Sequence, residues 1–131
     1  MKHILMIVLV ALMMGGCGAS KSSMQTANGT VTTVGVEEFA KVILKKNVRL
    51  IDVRTPKEYA EGHIKGAENI DVKAVDFSEK TKTVRGNVAV YCARGVRSLN
   101  AANILAAQGC TVYNLDGGLI AWKQAGKPVI K

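Results

Sequence analysis

The stretch Asn87-Val88-Ala89-Val90-Tyr91-Cys92-Ala93-Arg94-Gly95-Val96-Arg97-Ser98 decides how the rest of this 131-residue chain is read. Val88 to Tyr91 is a continuous apolar, β-prone run of the length an interior parallel strand needs. The residues from Ser98 to Ala107 have helix composition, with Ser98 as the expected N-cap. Cys92 therefore stands at the carboxyl end of a strand, just ahead of a helix N-terminus. Open α/β sheets bind ligands at that edge, where unpaired amides and the helix dipole favour an anion. Thiolates at helix N-termini or beside cations have pKa values lowered to roughly 3.5–7.5, so a nucleophile at neutral pH is expected here. A free cysteine usually just packs, but Arg94, Gly95 and Arg97 surround this one where a packing residue would have apolar neighbours. Gly95 permits a tight turn that points several amides inward, and Cys92 is the candidate nucleophile.

Outward from this stretch the chain alternates strand and helix patterns, which argues for an α/β fold with a central parallel sheet of five strands and helices on both faces. The strands are expected over 31–34, 48–53, 67–70, 88–91 and 111–115, and helices over 36–44, 57–61, 98–107 and 119–124. Thr55-Pro56 carries a capping residue and a proline at the first helical position, and Gly62 ends that short helix. Residues 71–84 are Lys-rich with a weak pattern, read only as a connecting helical segment. Gly109 closes the helix after Cys92, Gly117-Gly118 is a turn, and Trp122 faces inward.

The first residues belong to something else. Met1-Lys2-His3 is a short basic start, Ile4 to Met14 is an uninterrupted apolar run too short to span a bilayer, and Gly15-Gly16-Cys17 follows. Residues 1–16 are thus expected to be a cleaved signal peptide of the bacterial lipoprotein type, with Cys17 lipidated as the new N-terminus. Met14 stands where such signals usually carry Leu. Residues 17–30 are small and polar and read as a flexible tether; the domain then runs over 31–131. This places the protein at the bacterial cell envelope, facing the periplasm or the surface, with the membrane as a partner through the lipid.

The net charge of +8 invites a nucleic-acid reading, but the lysines are scattered, aromatics make up only 5%, and no nucleic-acid motif is present. A positive field would instead steer small anions toward Cys92. Cys92 follows the fourth strand and Cys110 precedes the fifth, so in a parallel sheet they lie at opposite edges, on the order of 13–17 Å apart, too far for a disulfide. Three widely spaced cysteines and one histidine beyond the leader offer no metal-ligand pairing. His63 is read as scaffold. Asp52 and Arg54 end a strand at the edge that holds Cys92, where they either shape the pocket rim or pair with each other, and Glu58 and Asp116 are read as loop anchors.

Tyr91-Cys92-x-x-Gly95-x-Arg97-Ser98 resembles the active-site loop of the rhodanese family of sulfurtransferases. Two flanking stretches resemble the same family: Leu50-Ile51-Asp52-Val53-Arg54-Thr55-Pro56-Lys57-Glu58-Tyr59 through Gly62-His63-Ile64-Lys65-Gly66-Ala67-Glu68-Asn69-Ile70, and Asn114-Leu115-Asp116-Gly117-Gly118-Leu119-Ile120-Ala121-Trp122. Ala93 departs from the pattern, since many members carry a polar residue there. The resemblance implies a rhodanese-like fold and sulfur transfer without a cofactor. Cys92 would take sulfane sulfur from a small anion such as thiosulfate, or from a persulfide, and pass it to cyanide or a thiol. Ala93, Arg94, Gly95, Val96 and Arg97 would bind the substrate, their amides stabilising the charged sulfur and Arg97 and Arg94 orienting the donor. A non-catalytic binding module of the same fold, and a phosphatase or arsenate reductase, remain as alternatives. Against the latter, only four residues separate Cys92 from Arg97, whereas tyrosine-phosphatase-type loops hold five.

Overall fold

The computed structural model describes residues 22–25 and 28–131. Its elements are β1 (Ser22–Gln25), β2 (Thr30–Val34), α1 (Val36–Val42), β3 (Val48–Asp52), α2 (Pro56–Glu61), β4 (Glu68–Asn69), α3 (Phe77–Thr81), β5 (Asn87–Tyr91), α4 (Val96–Ala107), β6 (Thr111–Leu115) and α5 (Gly118–Gln124). They form one sheet in the order β1-β2-β6-β5-β3-β4. The neighbours from β2 to β4 are all parallel, which gives the five expected strands.

The sixth strand is a correction to the expected tether. Ser22–Gln25 pairs antiparallel with β2, from Ser22 opposite Thr33 to Gln25 opposite Thr30. All four of its side chains are exposed, so it is held by main-chain pairing and carries no apolar alternation for a sequence reading to find. The rest of the tether up to residue 21, the expected signal peptide and Cys17 lie outside the described residues.

The apolar run at the centre reflects burial on both sides. Val88, Val90 and Cys92 belong to a core with Phe77 of α3 and Ala101, Ala102, Leu105 and Ala106 of α4. Ala89 and Tyr91, at the alternate positions, belong to a second core with Phe39 and Val42 of α1 and Leu119 and Trp122 of α5. A strand that feeds two cores has no polar face, which is why periodicity alone reads it as continuous. Trp122 packs edge-on against Phe39 with ring centroids 6.3 Å apart, and its Nε1–H donates to the Pro128 carbonyl at 2.9 Å.

The connections set the position of the ligand edge. β3 and β5 are neighbours, yet α2 follows β3 onto one face of the sheet through Tyr59, and α4 follows β5 onto the other. Diverging connections open a crevice beyond the carboxyl ends of the strands, the usual ligand position in open α/β sheets. The opposite edge holds Cys110: Thr111 pairs with Asn87 at the amino ends of β6 and β5, and both described cysteines are buried free thiols, as expected. Gly109 ends α4 as anticipated, its N–H donating to Ala106 O at 2.9 Å while Cys110 N–H reaches Leu105 O at 3.1 Å, the paired bonds of a Schellman turn.

Candidate active site

The loop between β5 and α4 folds around the sulfur of Cys92. Gly95 N–H donates to Sγ at 3.0 Å and Ser98 N–H donates to it at 3.3 Å, with the Ser98 hydroxyl 3.4 Å away. α4 begins at Val96 and its N-cap residue is Gly95, so Ser98 is the third helical residue and not the expected cap. The sulfur itself takes the place of an N-cap side chain, accepting the third-residue amide that Ser, Asp or Asn would otherwise satisfy. Burial raises the Cys92 thiol pKa, but the hydrogen bonds from Ser98, Gly95 and the Arg94 amide outweigh it and hold the thiol below its ordinary value. Cys92 is only 1% exposed, and it is reached through a pocket of about 210 Å³ lined by Cys92, Ala93, Arg94, Val96 and Arg97. Four of the five residues expected to bind substrate thus line this space; Gly95 instead supplies an amide to the sulfur.

Two glycines let the backbone come this close. Gly95 has φ of 101°, in the left-handed region, and an added Cβ would sit 3.3 Å from Gly117 N. Gly118, with φ of 62°, lies so near the loop that an added Cβ would fall 2.4 Å from the Ala93 carbonyl carbon. There the first amides of α5 grip the loop from outside: Leu119 N–H donates to Cys92 O at 2.8 Å and Ile120 N–H to Ala93 O at 3.1 Å. The expected Gly117-Gly118 turn is therefore a brace that holds the nucleophile's own carbonyl, and α5 starts one residue earlier than its sequence pattern indicated.

The charged residues divide into those bound by the fold and those left at the pocket. Arg97 Nη1 and Nη2 donate to both carboxylate oxygens of Glu58, at 2.8 and 3.0 Å. Glu58 also receives the Thr55 N–H at 3.0 Å while its own N–H donates to Thr55 Oγ1 at 3.2 Å, a complete capping box at the start of α2. Hydrogen bonding to Arg97, against a smaller opposing effect of burial, lowers the Glu58 carboxyl to a pKa of about 2. The pair ties α2 to α4 across the crevice, so Glu58 does anchor a loop, and Arg97 is a brace before it is a donor-binding group. Arg94 is exposed, and its guanidinium has no ion pair or hydrogen bond among the described residues.

Asp52 and Arg54 pair with each other. Arg54 Nε and Nη2 donate to the carboxylate at 3.0 and 2.7 Å, and Nη2 also donates to Gly62 O at 2.7 Å. Both residues are buried, and the Arg54 guanidinium lies over the ring of Tyr91, 5.8 Å from its centroid, next to Cys92 in the chain. His63 is scaffold, as expected: its main chain bridges to Ile130 and its ring stacks on Tyr59 with centroids 3.7 Å apart. Asp116 anchors through its backbone alone, its N–H donating to Val34 O at 2.8 Å while its side chain is exposed. Sequence reasoning missed the Ser98 contacts to the sulfur, the partner of Glu58 and the grip of α5. For Glu58 the signal was present, since Thr55-x-x-Glu58 is a capping-box pattern that fixes where the carboxylate points.

Comparison with known proteins follows the same lines. The Rhodanese-like domain family model matches residues 35–125. YqhL of Bacillus subtilis, described as uncharacterized, is 41% identical over 91 residues, which is 69% of this chain and 71% of that protein. The thiosulfate sulfurtransferase GlpE of Shewanella oneidensis is 32% identical over 93 residues, 70% of this chain and 92% of its own. Among solved structures, a rhodanese-related protein from Thermoplasma volcanium superposes with a TM-score of 0.66 at 30% identity, covering 75% of this chain and 96% of that one. The family model and the superposed structure agree, and the chain belongs to the rhodanese-like domain family.

Proposed function

We propose that this protein is a sulfurtransferase that carries sulfane sulfur as a persulfide on Cys92. The observation that carries the reading is the sulfur at the floor of a small pocket, with two amides and a hydroxyl converging on it and its pKa lowered. In the first half-reaction the Cys92 thiolate attacks the outer sulfur of a donor such as thiosulfate. A new sulfur–sulfur bond forms, the old one breaks, and its electron pair leaves with sulfite. In the second, cyanide or a thiol attacks the outer sulfur and returns Cys92 as the thiolate. Val96 and Arg97 N–H, at the first turn of α4, have no acceptor among the described residues. They suit the negative charge of the outer persulfide sulfur, as unpaired amides at a helix start do for anions generally. In this reading Ala93, Arg94, Gly95, Val96 and Arg97 form the binding loop, with Arg94 as its free cation.

Intact mass after incubation with thiosulfate tests the reading. The parent should gain one sulfur atom, lose it to cyanide and show no Cys92-dependent hydrolysis of an aryl phosphate. Cys92→Ser should gain none while keeping its fold. A Cys92→Ser protein that transfers sulfur at the parent rate would end the proposal.

We propose also that Cys17 carries lipid and holds the domain at a bacterial cell envelope. The apolar run before Gly15-Gly16-Cys17 supports this. Stable anchoring takes two lipid signals or more, so Cys17→Ala should release the protein from membranes. Equal membrane partitioning of the two would place the anchor elsewhere.

A further inference from the structure

We infer that the carboxyl edge of the sheet, with the mouth of the Cys92 pocket, rests on the surface of the bilayer that holds the Cys17 lipid; this rests on the proposed lipid and names the face that meets the membrane. β1 fixes the edge. Ser22, its first residue, pairs with Thr33, which lies level with Asn114 and Val90 across the sheet. Because β1 is antiparallel to β2, the chain enters the domain at the carboxyl edge. Three strand spacings and two residues of rise separate Ser22 from Cys92, about 16 Å. Cys17 stands five residues before Ser22 and reaches no more than about 18 Å from it. The amino edge, with Cys110, lies one strand length of about 17 Å further on, so it could meet the bilayer only with those residues drawn out straight.

The side chains at this edge suit a lipid surface. Val96, lining the Cys92 pocket, is 77% exposed, and Val75, in the connection from β4 to α3, is fully exposed. That connection leaves from the same edge, where Val72 N–H donates to Val53 O just past the end of β3. One turn along α4 from Val96, the exposed Leu99 joins Met24 of β1 in lining a separate cavity of about 220 Å³. None of these four side chains belongs to either core. Each valine that leaves water favours contact about tenfold, and the short link to the lipid makes that contact intramolecular. The charges of the loops at this edge nearly cancel, Lys57, Lys73 and Arg94 against Asp71, Asp76 and Asp116, so the footing is apolar and needs no anionic lipid. Leu44, exposed at the opposite edge between α1 and β3, marks the competing face.

Flotation of the mature lipidated protein with phosphatidylcholine vesicles reads the anchor, and amide hydrogen exchange of the floated protein, against Cys17→Ala free in solution, reads the face. Val75 and Val96 N–H have no acceptor among the described residues, so they exchange freely unless something covers them. On vesicles the segments 72–76 and 94–99 should exchange about fivefold or more slowly, the scale of covering one apolar side chain, while 44–48 exchange as in solution. Val75→Asp, at an exposed position outside both cores, should return both protected segments toward the free rate and leave flotation unchanged. A floated parent without protection at the carboxyl edge, with protection at 44–48 instead, or with protection that Val75→Asp leaves intact would overturn the inference while keeping the anchor. A parent that does not float would instead remove the lipid at Cys17, and this inference with it.

Discussion

Replacing Glu58 by Gln isolates the charge that joins the two sides of the crevice. Gln has nearly the same shape and serves equally at the third position of a capping box, so the start of α2 should survive. What disappears is the carboxylate facing Arg97 Nη1 and Nη2 at 2.8 and 3.0 Å. A carboxyl lowered from 4.5 to about 2 corresponds at face value to roughly 3 kcal/mol of folded-state stabilisation. Glu58 is 32% exposed and Arg97 23%, so solvent screening brings the expected loss nearer to about 1 kcal/mol. For a domain of this size that is a fall in Tm of about 4–8 °C at neutral pH. The sign with pH follows from a folded pKa below the unfolded one. The stabilisation is fully present above pH 4.5 and is lost as pH falls toward 2, so parent and Glu58→Gln should converge in that window. Differential scanning calorimetry at pH 7 and across the acid range reads both effects. A variant as stable as the parent at pH 7 would refute the clamp, and so would a gap that persists unchanged at pH 2. Freed from its partner, Arg97 should also speed the loading of Cys92 by thiosulfate.

Gly118→Ala should slow sulfur transfer by about a hundredfold, because its Cβ would overlap the Ala93 carbonyl and displacing reacting atoms by ~1 Å costs on that order; a parent-like rate would show that the α5 brace is not rigid. Alkylation of Cys92 by iodoacetamide should follow a midpoint below the ordinary 9.0, with Ser98→Ala moving it upward. A midpoint that does not respond to Ser98→Ala would remove that residue's hydroxyl from the account. Asp52→Ala strands the buried Arg54 guanidinium and should cost about 3–5 kcal/mol by urea denaturation, against which a loss under about 1 kcal/mol would count.

Much of this protein follows from local order along the chain. The strand–loop–helix reading of 87–107, the helix start at Thr55-Pro56 and the stop at Gly109 each depend on neighbours in sequence, and the structure reproduces all three. The parallel sheet with helices on both faces follows from the same alternation, since a run such as Val88–Tyr91 needs cover on two sides. Cys92 as the nucleophile candidate was legible for that reason: its place at a strand end and helix start is a property of adjacent residues.

What sequence order does not contain is which distant group a side chain meets. Arg97 reads as a free cation beside the thiol until α2, 39 residues away in the chain, brings Glu58 against it. Gly118 reads as a turn residue until the close approach of Ala93 shows why no side chain fits there. Ser98 reads as an N-cap until the sulfur, reaching forward from β5, fills that role and draws the helix start back to Val96. β1 has no apolar pattern at all and exists because β2 offers it an open main-chain edge. Apolar patterning is imposed by the nearest surface and is written into local sequence. Charge pairing, close backbone approach and strand addition depend on what the packed elements bring together, so the tertiary structure decided which groups at Cys92 are braces and which are open to a substrate.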